Sequence, residues 1–283
     1  MHREVNTRGR EVWFTERQSP DVSLSLRVRS VLLEETTPFQ ELLVLDTDAY
    51  GRVLVLDGAI QTTDRDEYVY HEMITHVPLA MHPRPRRVAV IGGGDGGAIR
   101  EILKHPEVQE AHLIEIDERV VEASRRFFPA IASALDDPRA HVAIGDGIRW
   151  IKEEAHDFDL IIVDSTDPVG PAEGLFAHGF YQGVSDALTA DGLLVAQTES
   201  PMLEPDILQR AMTGIAGAFP RVYLYLAAIP TYPTGFWSFT LGSKGPRPDV
   251  LRDGLDHLST RYWTPEVHRA AFALPPYVRA LLP

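Results

Sequence analysis

The chain has 283 residues, 44% of them hydrophobic, and a formal net charge of −14, enough apolar material for one large domain or a domain with a small appendage. The acidic balance argues against nucleic acid as a partner and is compatible with a cationic substrate focused by an acidic cleft. Zero cysteines exclude disulfides, thiolate metal sites and a cysteine nucleophile. There is no membrane-length apolar run, and "MHREVNTRGREVW" lacks a signal-type apolar core, so the expectation is a cytoplasmic protein with no membrane partner.

The first elements read as β. The stretch 23–35 alternates for much of its length, and "FQELLVLDTDAYGRVLVLDGAIQTT" holds two apolar runs joined at "DTDAYG". Turn residues between such segments predict a hairpin, hence a small antiparallel sheet ending near Thr63. This divides the chain into an N-terminal β-strand domain (1–63) and a larger domain (64–283). Next, 66–82 has helical spacing, with Tyr70, Met73, Ile74 and Val77 on one face. Strand and helix then alternate: "VAVIGG" with a helix from about Gly97, "AHLIEID" with "ERVVEASRRF", "HVAIGDG" with "IRWIKEEA", then "FDLIIVDSTDP" and "GLLVAQTES". The sixth and seventh strands, "VYLYLAAIP" and "FWSFTLGSK", are spaced so closely that they predict an antiparallel hairpin. Repeated βαβ units imply an α/β fold, a doubly wound parallel sheet covered by helices on both faces. The stretch 264–282 reads as short packing helices.

In an open α/β sheet the ligand sits at the carboxyl ends of the strands. Here those ends are acidic: Asp95 within "GGGDGG", Glu115 and Asp117, Asp146, and Asp164 with Asp167. Each has a bland reading. The glycines fit any tight turn or nucleotide loop, and an acid such as Glu115 binds ribose in several enzyme classes. Asp146 fits a cap on the helix starting at Gly147, and Asp164 with Asp167 fits a turn closed by Pro168. Jointly the carboxylates converge on one crevice and repel, and a bound cation is the natural compensator. Two metal readings fail. In "HEMITH" the histidines His71 and His76 are five apart, where the zinc protease pattern needs four. "DTDAYG" lacks the full calcium loop. No metal is expected.

Taken together, "GGGDGG", "DSTDPVGPA", "YGRVLVLDGAIQTTDRDEYVYHEM" and "IPTYPTG" resemble the spermidine synthase (polyamine aminopropyltransferase) family, from about Val12 to the C-terminus. The resemblance implies a Rossmann-like, class I methyltransferase-like fold with an N-terminal β domain, assembled as a homodimer or homotetramer. It implies transfer of the aminopropyl group of decarboxylated S-adenosylmethionine, a co-substrate and not a cofactor, to a diamine, normally putrescine. It places Gln40, His71, Gly93, Asp95, Glu115, Asp146 and Gly147 around the donor, with Glu115 on the ribose hydroxyls and Asp146 and Gly147 at the adenine. It makes Asp164 catalytic beside Tyr70 and Tyr232, and puts Asp167, Trp13 and Gln197 on the acceptor side. Asp95 then pairs with the ammonium of the decarboxylated donor and repels the carboxylate of intact S-adenosylmethionine. Phe236 and Trp237 fall where the family varies, which leaves cadaverine, agmatine and spermidine open as acceptors. Asp95 and "DSTDP" weigh against a methyltransferase, and Asp95 would face the pyrophosphate in a dehydrogenase. A non-catalytic polyamine binder would not need the full set of Tyr70, Asp164, Asp167 and Tyr232.

Overall fold

The computed structural model describes residues 11–165, 178–233 and 235–282. Strands β1 (Val12–Arg17), β2 (Ser23–Thr36), β3 (Glu41–Thr47), β4 (Gly51–Leu56) and β5 (Ala59–Thr63) form an antiparallel sheet in sequence order. Two of these strands escape the sequence reading. In β1, one of the three inward positions is filled by a glutamate, Glu16, which hides the alternation. The run predicted to end the hairpin is itself split by Asp57–Gly58, both at positive φ (48° and 84°). That is the two-residue turn that matches strand twist in a tight hairpin. One face of the sheet packs Leu42, Val44, Leu54 and Leu56 onto Val120, Ala123, Phe128 and Ile131. The N-terminal sheet is thereby fixed over the second one.

Helix α1 (Glu67–Met81) follows β5 directly and is buried along nearly its whole length. Then come β6 (Arg87–Gly92), α2 (Gly97–Ile102), β7 (Glu110–Glu115), α3 (Glu118–Phe127), β8 (Ala140–Ile144), α4 (Gly147–Glu153) and β9 (Phe158–Asp164). They are followed by α5 (His178–Ala187), β10 (Leu188–Gln197), α6 (Pro205–Ala216), β11 (Arg221–Ala228), β12 (Phe236–Ser243), α7 (Pro265–Ala271) and α8 (Pro276–Arg279). The second sheet has the order β11-β12-β10-β9-β6-β7-β8, with only β12 antiparallel to its neighbours. The predicted closing hairpin is therefore present.

The central strands alternate between two apolar layers. Val88, Val90, Leu160 and Ile162 face α1 and α2; Ala89, Ile91, Ile161 and Val163 face α5. Burying each of the larger aliphatic side chains contributes about 1.5–3 kcal/mol. The chain runs outward from β6 to β7 and β8, then returns to β9 on the other side of β6. Gly92 and Asp164 end these two strands in register. This reversal of strand order opens a crevice at their carboxyl ends.

Candidate active site

A cavity of about 500 Å³ occupies that crevice, between the carboxyl ends of the second sheet and β1, β4 and β5 of the first. Its floor is the glycine loop. Gly93 has φ +66°, and a Cβ there would lie 2.7 Å from Asp164 Oδ2. Only glycine lets this backbone turn while the carboxylate lies against it. At Gly97 a Cβ would meet the His71 ring at 2.3 Å, so the start of α2 is bare in order to seat an imidazole from α1.

The opening acid of the loop is held from two sides. Asp95 Oδ1 accepts from the Gly97 N–H at 2.8 Å, and Oδ2 lies 3.1 Å from His71 Nε2. The other ring nitrogen, Nδ1, is 2.6 Å from Glu67 Oε2. Burial pushes the His71 pKa down, but Asp95 and Glu67 outweigh it and hold it well above the usual imidazole value. Burial raises Glu67, and His71 with Arg100 more than reverses this, bringing it to about 2.

Tyr70, one residue before His71 on α1, donates its hydroxyl to Asp164 Oδ1 at 2.5 Å. Burial, reinforced by the charge of Asp95, lifts Asp164 to about 6 against the opposing effects of His71 and the Tyr70 bond. The Tyr70 phenol itself is pushed well above its ordinary value, by burial first and Asp164 second. A partly buried carboxylate with this basicity can accept a proton near neutrality.

Beside β7 and β8 the wall is a slot of aliphatic side chains, Leu54, Ile91, Ile114 and Ile148, edged by acids. Burial raises Glu115 to about 7, although it accepts from the backbone N–H groups of Asp117 and Gly94. Gln40 lines the cavity and donates to Asp117 Oδ2 at 3.0 Å; Asp117 also caps α3 through the Arg119 N–H. Asp146 does cap α4, accepting from Ile148 N at 2.8 Å, and with Gly147 it also lines the cavity.

Toward the N-terminal sheet the wall holds Tyr232, Gln197, Glu16, Gln18 and Gln61. The Tyr232 ring lies 5.6 Å from that of Tyr70, and its hydroxyl donates to the Gln61 carbonyl at 2.6 Å. Gln197 donates to the Ser165 carbonyl at 3.1 Å. Trp13 is a correction to the sequence reading. It occupies an outward position of β1, is 41% exposed, and is not part of the cavity wall; strand alternation sends Phe14 and Glu16 inward in its place. Glu16, Gln18, Gln61 and Glu199 line the cavity without having been expected there. Glu16 alone carried a signal, as the polar residue at an inward strand position. Asp167 lies outside the described residues. Among the described residues, no group of three or more His, Asp or Glu side chains is arranged to hold a metal ion, and no helix is long and apolar enough to cross a membrane.

A doubly wound sheet with a carboxylate in its glycine loop, an aliphatic slot edged by acids and a hydrogen-bonded Tyr–Asp pair makes this a Rossmann-like fold with an acidic cleft. The comparisons make this specific. A family model described as the spermine/spermidine synthase domain matches residues 67–252, and one described as the spermidine synthase tetramerisation domain matches residues 12–64. A polyamine aminopropyltransferase of Desulforudis audaxviator is 55% identical, over 94% of this chain and 98% of that protein. Another, from Caldicellulosiruptor saccharolyticus, is 53% identical over 96% and 98%. A crystal structure of spermidine synthase in complex with the transition-state analogue AdoDATO superimposes with a TM-score of 0.92 at 38% identity, covering 100% of this chain and 98% of that one. Spermidine synthase from Thermotoga maritima gives 0.90, also at 38% identity, covering 100% and 97%. The chain belongs to the spermine/spermidine synthase family of polyamine aminopropyltransferases and is a transferase.

Proposed function

We propose that the protein transfers the aminopropyl group of decarboxylated S-adenosylmethionine to putrescine, giving spermidine and 5′-methylthioadenosine. The observation that carries this reading is Asp95. A carboxylate at the apex of a glycine loop, 3.1 Å from a buried histidine, suits a donor tail that ends in an ammonium. It disfavours one that also bears a carboxylate. The aliphatic slot takes the adenine, with Asp146 and Gly147 at its edge. Glu115 and Gln40 take the ribose end, and ribose hydroxyls donating to Glu115 favour its ionised form.

The acceptor arrives as a dication. An alkylammonium has no lone pair, and its pKa, judged from lysine, is about 10. Asp164 takes the proton, aided by the hydroxyls of Tyr70 and Tyr232, and its basicity, raised to about 6, makes it a better base than an exposed aspartate. The freed nitrogen attacks the carbon next to the sulfonium. The C–N bond forms as the C–S bond breaks, and the electron pair of that bond leaves on sulfur as a neutral thioether. Holding two cations in line supplies much of the rate, and the acids of the cleft offset their mutual repulsion. Asp167, with Gln197, belongs to the acceptor side in this reading. So does Glu16, a buried carboxylate suited to the far ammonium.

The reading includes a cytoplasmic homodimer or homotetramer, supported by the tetramerisation-domain match and by Val31, Leu32 and Phe39 exposed on and beside β2. The test is to mix the purified protein with decarboxylated S-adenosylmethionine and, separately, putrescine, cadaverine, agmatine and spermidine. Products are resolved by mass, with Asp164→Asn as control. Product chiefly from putrescine, lost in the variant, is the expected result. Product chiefly from another amine overturns the acceptor, and none from any amine overturns the reaction.

A further inference from the structure

We propose that Glu67, which is not part of the cavity wall, is a positioning residue that keeps His71 as an imidazolium whether or not the donor is bound. The proposal deepens the reading above and rests on it. His71 is 2% exposed, and each of its ring nitrogens faces a carboxylate: Nε2 to Asp95 at 3.1 Å and Nδ1 to Glu67 at 2.6 Å. An ionised carboxylate only accepts hydrogen bonds, so both contacts form only if both nitrogens carry protons. Glu67 is in turn gripped by the Arg100 fork, with Nη1–Oε1 at 3.1 Å and Nη2–Oε2 at 2.8 Å, the bidentate arrangement that orients a carboxylate. Arg100 continues to Glu101 at 2.8 Å, and Glu101 to Lys104 at 2.6 Å.

The charges alternate in sign from the glycine loop to the surface: Asp95, His71, Glu67, Arg100, Glu101, Lys104. The other groups near the ring are the Tyr70 phenol, on the same helix, and Asp164, at the end of β9. A ligand ammonium on Asp95 extends the alternation by one step. Two carboxylates, Asp95 and Glu67, then face two cations, His71 and the ligand. With Glu67 neutral, Asp95 is the one carboxylate in contact with both cations, and donor binding weakens unless His71 gives up its proton.

The test is the protonation state of His71, read by nitrogen-resolved imidazole NMR with and without decarboxylated S-adenosylmethionine, alongside the pH profile of the donor KM. In the wild type the ring is expected to be doubly protonated at about pH 7, where an ordinary imidazole is mostly neutral, and the donor KM carries no His71 titration there. In Glu67→Gln the His71 titration moves to lower pH. The donor KM of this variant then climbs as the pH falls through the titration, by up to about tenfold per pH unit, the limit for one linked proton. Glu67→Asp restores the wild-type profile in part. A purely structural role would alter melting without adding a titration to KM. A neutral His71 in the wild type, or a KM profile in folded Glu67→Gln as flat as the wild type, overturns the proposal. The wild-type spectrum needs no variant, so misfolding of Glu67→Gln does not spare it. It also needs no turnover, so failure of aminopropyl transfer counts against the reading above and not against this one.

Discussion

Tyr70→Phe shifts the acid limb of activity toward neutral pH. Asp164 is raised to about 6 from an ordinary 3.8, so its surroundings already disfavour the ionised form. Burial is the largest cause and the Asp95 charge the next; His71 and the Tyr70 hydroxyl oppose them. The hydroxyl donates at 2.5 Å to the carboxylate, so it favours the ionised state, and removing it makes Asp164 harder to ionise. A hydrogen bond to a charged group contributes about 1.5–3 kcal/mol, which is about 1–2 pH units of further rise. Phenylalanine keeps the ring against Tyr232 and Phe239, so the change is confined to the bond. The assay is kcat/KM against pH for both proteins, which reports the essential groups of the free enzyme. A limb that stays in place, or moves to lower pH, refutes Asp164 as the proton acceptor governed by Tyr70.

Two further substitutions probe the loop. Asp95→Asn removes the charge offered to the donor tail and is expected to weaken binding of decarboxylated S-adenosylmethionine by about 10–100-fold, the equivalent of one charge-assisted hydrogen bond. Binding of intact S-adenosylmethionine should improve or hold, and calorimetric titration of both ligands checks the pair. Gly97→Ala puts a methyl 2.3 Å from the His71 ring; overpacking of this kind costs about 1–3 kcal/mol. Denaturant melts should record that loss together with weaker donor binding, and an unchanged melt would show that the imidazole yields freely.

The central strands of the second sheet were legible because they are buried on both faces. Val88–Ile91 and Leu160–Val163 are continuous apolar runs, as parallel strands under two helical layers must be. Glu115 and Asp164 were legible for the same reason, each closing such a run at its carboxyl end, whereas Asp95 and Asp146 follow glycines. Two strands of the first sheet were not. In β1 only Phe14 and Glu16 are fully inward, and a glutamate erases the pattern it belongs to. Long-range partners also left no trace: Gln40 and Asp117 are 77 positions apart, and nothing local in either segment announces the other. On α1 the sequence sets His71 and His76 five positions apart. The spacing that places side chains on one helix face is four, and it joins Glu67 to His71. The significant partner of the histidine was thus an acid one turn earlier.

Three acids at strand ends share a further property. Asp95 accepts from the N–H of Gly97, Asp117 from that of Arg119, and Asp146 from those of Ile148 and Arg149. Each thereby occupies the start of the helix that follows its strand, the place where a fold of this kind ordinarily presents free amides to a phosphate. Here the protein supplies its own anion at every one of these positions. A nucleotide phosphate would find one or two of the amides at each entrance already taken and a negative charge in its way. In the proposed reading, the architecture that elsewhere cradles pyrophosphate serves hydroxyls and ammonium groups instead, through a carboxylate at each of these three helix entrances.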